Sequence, residues 1–161
     1  MYLLQHKTGW FLSALIVIGL LTLSVFCPKP SSIVKRQNCK QQLRSLGCVI
    51  VQYRQDHTNQ WPATVESLDS SITSLLTCPG VPKNSSSAKL TDYVYVNWSV
   101  IPHSKNADFD KYPLMYDRSV SNHYGGGINV LTVGGVVEWD ANAEKLKKFA
   151  DAHPEAKLVI P

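Results

Sequence analysis

The chain has 161 residues, 44% of them hydrophobic and 17% charged, with a net charge of +4. That balance excludes a disordered or collagen-like chain and suits one ordinary domain. Residues 1–60 carry seven Lys and Arg against one acidic residue, Asp56, whereas residues 61–161 carry nine against eleven. A mildly acidic C-terminal part is no basic nucleic-acid domain, so no nucleic-acid partner is expected. The cations gather around an apolar run, which points to lipid head groups.

That run, WFLSALIVIGLLTLSVF, spans residues 10–26 without a charge. As a helix it would extend about 26 Å, just short of a bilayer core. No face of it is polar, which argues against a buried core helix. Trp10 suits a membrane interface and Lys7 can snorkel. A cleaved signal peptide would need a small-x-small site before Pro28, and none is present. A lipoprotein signal ending at Cys27 would need a small residue where Phe26 stands. The expectation is therefore an uncleaved single-pass membrane anchor. Residues 1–9 would be a cytoplasmic tail, 10–26 the transmembrane helix, and 31–161 a domain outside the cytoplasm. Lys29, Lys35, Arg36, Lys40 and Arg44 follow the run and oppose this orientation, but a long domain translocates regardless of charge. Ser13, Gly19 and Thr22 are the small residues that would allow close helix packing in the membrane.

Beyond Pro28 and Pro30, Ser31 or Ser32 can cap a second helix. Cys39, Leu43, Leu46, Ile50 and Tyr53 recur at spacings of four and three and define its buried stripe, with a basic back. It should end near Asp56–Asn59. Trp61-Pro62 is a turn, and Thr64-x-x-Ser67 starts a short helix through about Leu76. Tyr93–Trp98 alternates like a strand, and Pro113–Tyr116 is a short one. Ile128–Val133 and Val136–Trp139 form a hairpin turning at Gly134-Gly135. Asp140 caps a last helix over residues 141–152, which Pro154 stops. The order predicts an α+β fold: a long N-terminal helix, part membrane and part amphipathic, on a small antiparallel β-sheet, with a short C-terminal helix.

Two stretches then carry a resemblance. One runs Cys39-Lys-Gln-Gln-Leu-Arg-Ser-Leu-Gly47, then Tyr53-x-x-Asp56-His57 and Trp61-Pro62. The other runs Pro113-Leu-Met-Tyr-Asp117, His123-Tyr-Gly-Gly-Gly-Ile-Asn-Val-Leu-Thr-Val-Gly134 and Val136-Val-Glu-Trp139, with Cys78-Pro79 between the two. Over residues 32–140 this resembles type IV pilin-like proteins related to the type II secretion major pseudopilin, in the subgroup with a His-x9-Asp-Gly motif. The resemblance implies a non-enzymatic assembly protein whose partners are copies of itself, other pilin-like subunits and the inner membrane. It places His123, Gly126, Gly127 and Gly134 in the family motif. It also puts Cys39 and Cys78 where the family carries cysteines, which favours a bridge between them over two buried free thiols. Three departures stand out. Ala14 replaces the Glu of the family N-terminus, Val133 replaces the motif Asp, and Gly135 replaces the His that often follows.

Other chemistry finds little purchase. Cys39 and Cys48 lie on opposite faces of one helix and cannot pair. With no Cys-x-x-Cys, zinc and a redox dithiol are not expected. Asp108, Asp110 and Asp117 are too few for a calcium site. With Asp absent at 133, His123 reads as a structural histidine at a turn. Gly125–Gly127 lack the Gly-Lys-Ser/Thr of a phosphate loop and supply positive φ before a strand. No catalytic motif appears, so no catalytic, cofactor or metal residues are expected. The alternative to assembly is a membrane-tethered periplasmic module that binds a small ligand or ion through residues 102–127.

Overall fold

The computed structural model describes residues 30–68, 70–81, 91–99, 108–123 and 125–161. The apolar run, with Ser13, Gly19, Thr22 and Cys27, lies outside the described residues. No helix among the described residues is long and apolar enough to cross a membrane. The described domain falls in one compact unit, Ser31–Pro161.

Helix α1, Pro30–Asp56, is 27 residues long, so it extends about 40 Å. It stops where Thr58 and Asn59 adopt left-handed φ of 50° and 64°. Its stripe is buried as the spacing predicts: Cys39, Leu43, Leu46 and Ile50 are fully enclosed, with Tyr53 packed at the edge. Cys48 is exposed on the opposite side. The segment after Trp61 forms two 3₁₀ turns, Val65–Ser67 and Ser70–Leu75, in place of the expected short helix. The reason is local. The Ser67 hydroxyl donates to Thr64 O and the Thr73 hydroxyl to Ser70 O, bonds that compete with an α-helical ladder.

Four antiparallel strands follow as a meander in the order β1-β2-β3-β4: Tyr93–Tyr95, Pro113–Asp117, Gly127–Thr132 and Val137–Ala141. Strand β1 ends three residues before Trp98. The Asn97 side chain turns the chain there, accepting from Ser99 N at 2.9 Å and donating to Ala63 O at 2.8 Å. Successive residues point to opposite faces of a strand. Tyr93, Met115, Asp117 and Leu131 belong to one set, because Tyr93 pairs with Asp117 and Met115 with Leu131. Helix α1 covers this face: a Cβ on Gly47 would sit 3.1 Å from Leu131 Cδ2, so the glycine lets helix and sheet close up. The other face carries Tyr116, Val130 and Thr132. It is covered by the C-terminal stretch, in which Tyr116 donates to Val159 O at 2.9 Å. Every residue of β2 is buried as a result.

Helix α2, Glu144–Ala152, begins three residues later than the sequence suggests, because Asn142 and Ala143 take left-handed φ of 53° and 55°. Asp140 still caps it, reaching forward to accept from Lys145 N at 3.0 Å and Leu146 N at 2.8 Å. The hairpin turns at Gly134-Gly135 as expected, with Gly135 at φ 81°.

Gly127 opens β3 against β4, and a Cβ there would lie 2.6 Å from the Trp139 ring and 2.7 Å from Asp140 O. The carbonyl is backbone and cannot step aside. Gly127→Ala is therefore expected to destabilise by about 1–3 kcal/mol through overpacking. Equilibrium urea unfolding checks this, and a loss within experimental error would show that β4 can shift.

Candidate functional site

The chemistry-bearing groups meet between α1 and the sheet. The α1 stripe points Cys39 inward. Cys78 arrives from the loop after the second 3₁₀ turn, Asp117 ends β2, and His123 follows the 3₁₀ turn Val120–Asn122. All four are buried, and their ligand atoms lie within 4.8 Å of one another.

Cys39 Sγ donates to Asp117 Oδ1 at 3.0 Å and lies 3.2 Å from the Tyr93 hydroxyl. The other carboxylate oxygen, Oδ2, accepts from Asn129 N at 2.6 Å and Asn129 Nδ2 at 3.1 Å. His123 Nε2 is 3.2 Å from Asp117 Oδ2, 3.6 Å from Cys78 Sγ and 3.3 Å from Asn129 Nδ2. Cys78 Sγ also accepts from Gly80 N at 3.3 Å. The side chains of His123 and Asp117 are entirely shielded from solvent.

Crowding polarises these groups. The hydrogen bond between the two sulfurs, with burial adding to it, holds the Cys39 thiol far above its ordinary value. The same bond lowers Cys78 to about 6, against burial, with further help from His123 and the Gly80 amide. Burial pushes His123 down, but its hydrogen bonds to Asp117 and Cys78 outweigh that and raise it to about 9. Burial pushes the Tyr93 hydroxyl up.

Three expectations change here. Cys39 and Cys78 come together, but as free thiols and not as a bridge, their sulfurs turned to Asp117 and His123. His123 does have a carboxylate partner, Asp117, while the Val133 N–H goes to Tyr112 O at 2.8 Å. And a metal-competent set exists without any Cys-x-x-Cys, because its members come from four separate segments. Asn129, which clamps Asp117 in place, was not foreseen. Its one signal in sequence is a polar residue at an inward position of an otherwise apolar strand.

The other motif residues do not join the cluster. Gly126 sits at φ 63° before β3, and Gly134 donates to Asp110 O at 2.8 Å. Asp108 pairs at the surface with Lys111 at 2.7 Å and is separate from buried Asp117. No family model matches the chain, and neither a curated protein nor a solved structure does.

Proposed function

We propose that this chain is a pilin-like assembly protein of a type II secretion or type IV pilus-like system. Residues 10–26 would anchor it in the inner membrane, and the domain would lie outside the cytoplasm. Its work would be protein–protein assembly with copies of itself or other pilin-like subunits, not catalysis.

The observation that supports this reading most is α1 itself. One face is locked onto a four-stranded antiparallel meander, while the outer side leaves Ile33, Val34 and Val51 at 40%, 56% and 47% exposure. These side chains lie outside the core and are open to contact with a neighbouring subunit. Ile33 and Val34 lie on its first turns, nearest in sequence to the apolar run.

The full chain in mild detergent is expected to self-associate through residues 1–57. Replacing Val34 and Val51 by Glu should weaken that association at unchanged domain stability, since neither side chain is in the core. Sedimentation of wild type and variant reads both. A wild-type chain that stays monomeric throughout would defeat the assembly reading.

A further inference from the structure

We propose that Cys39, Cys78, Asp117 and His123 form a structural zinc site that fastens α1 to the sheet. This goes beyond the assembly reading and does not depend on it.

The donor set makes the first argument. Two thiols, an imidazole and a carboxylate give S2NO ligation, which suits Zn²⁺ far better than Ca²⁺ or Mg²⁺, whose sites are built from oxygen. Four protein ligands with no open position describe a structural site and not a catalytic one.

Geometry makes the second. Zinc bonds of about 2.3 Å to sulfur and about 2.0–2.2 Å to nitrogen and oxygen imply tetrahedral edges of roughly 3.3–3.8 Å. The structure has Cys78 Sγ 3.6 Å from His123 Nε2, and that nitrogen 3.2 Å from Asp117 Oδ2. Cys39 Sγ is 3.0 Å from Asp117 Oδ1, as a thiol proton between them requires, and all four ligand atoms fall within 4.8 Å. A cation at the centre takes the place of that proton, and side-chain shifts of up to about 1 Å bring one atom of each residue to tetrahedral edges.

Satisfaction of polar groups makes the third. A ring nitrogen offers one proton or one lone pair. His123 Nε2 faces Cys78 Sγ and Asp117 Oδ2 together, with the Asn129 amide N–H₂ at 3.3 Å, and one ring proton answers only one of the two acceptors well. The sulfur, the carboxylate oxygen and the ring nitrogen all offer lone pairs there, and a divalent cation answers the three at once. Binding would release the thiol protons to solvent.

The surrounding groups are placed to hold the ligands. Gly80 N donates to Cys78 Sγ, and Asn129 donates twice to Asp117 Oδ2. The Tyr93 hydroxyl lies between Cys39 Sγ and Gln42 Oε1, at 3.2 and 3.0 Å, and can turn its proton to a Cys39 thiolate. Such outer partners orient metal ligands.

The test uses the full chain in detergent, purified with a phosphine reductant and without chelator, then titrated with Zn²⁺ or Co²⁺ alone. About one metal ion per chain is expected. The cobalt form should show the visible bands of tetrahedral Co²⁺ and a thiolate charge-transfer band in the near ultraviolet. Cys78→Ser, which keeps a polar atom in the pocket, should weaken binding at least tenfold and reduce the charge-transfer band. Cys48→Ser, at an exposed cysteine, should change neither. Thermal unfolding should rise with zinc in wild type and in Cys48→Ser but not in Cys78→Ser. A reduced chain that binds no stoichiometric zinc overturns the proposal. So does a cobalt spectrum indifferent to Cys78→Ser. So does a chain isolated as a Cys39–Cys78 disulfide that takes up no metal after reduction.

Discussion

Truncating Asp117 to alanine is expected to destabilise the metal-free domain by about 3–5 kcal/mol, the range for removing one partner of a buried charged pair. The carboxylate is fully enclosed and answers groups on three elements. It accepts two hydrogen bonds from Asn129 on β3, one from Cys39 on α1, and faces His123 beyond the turn. Without it the Asn129 amide and the His123 ring lose their acceptor inside a site that water does not reach, and each stranded group costs about 1–3 kcal/mol. Asp117→Asn separates shape from charge. It fills the same volume but offers an N–H₂ group where the Asn129 N–H groups or the Cys39 S–H already donate, so its loss should be smaller yet clearly measurable. Equilibrium denaturation with chelator present reads both variants. A cost below about 1 kcal/mol for Asp117→Ala would show that solvent enters the cluster, and the account of its electrostatics would fail with it.

The reach of sequence reasoning follows from how local each signal is. The stripe Cys39, Leu43, Leu46, Ile50 is written in a spacing, and every one of those residues is buried. The Gly134-Gly135 turn is likewise local and forms where expected. Asp140 was recognised as a cap, but its distance from the helix was not, because nothing in Asn142-Ala143 announces left-handed backbone at an alanine. In the stretch 64–76 the helix-start pattern Thr64-x-x-Ser67 points to a helix, but its hydroxyls bond back to nearby carbonyls and 3₁₀ turns form instead.

The cluster lies at the far end of this scale. Cys39 and Cys78 were linked only through a resemblance. His123 was judged by position 133, six residues past Gly127 in the family motif, and so seemed to lack a carboxylate. Its partner is set by sheet geometry instead. The register Tyr93–Asp117 aligns the start of β1 with the end of β2, and Asn129 on β3 completes the row. Contacts across 45, 54 and 78 residues of chain depend on the whole meander closing correctly. No short window of sequence contains them. The same closure explains why these groups suit a fastening role: they join α1, the loop at Cys78, β2 and the turn at His123, whose mutual positions the chain leaves free until it folds.

Trp98→Ala is expected to cost about 3–5 kcal/mol, the range for removing a large buried aromatic side chain. Trp98 is only 1% exposed and anchors a group of aromatic rings within the core. Its ring meets Phe109 edge-on at 5.3 Å, Tyr112 at 5.5 Å and Phe149 of α2 at 6.4 Å. Its Nε1–H donates to Pro113 O at 3.1 Å, the carbonyl of the first residue of β2. One side chain therefore joins the end of β1, the start of β2 and the C-terminal helix. Alanine leaves a cavity among rigid rings that cannot easily collapse, and it strands a buried carbonyl. Trp98→Phe keeps most of the ring contacts and loses the hydrogen bond, so its cost should be smaller. The variants also separate the two ends of the fold. Trp98→Ala should speed amide exchange in α2, residues Glu144–Ala152, while leaving the Cys39 end of α1 protected. Chemical denaturation gives the free energies and hydrogen exchange gives the location. Equal loss of protection at both ends would show that they unfold as one unit, and a cost below about 1 kcal/mol would remove Trp98 from the central place given to it here.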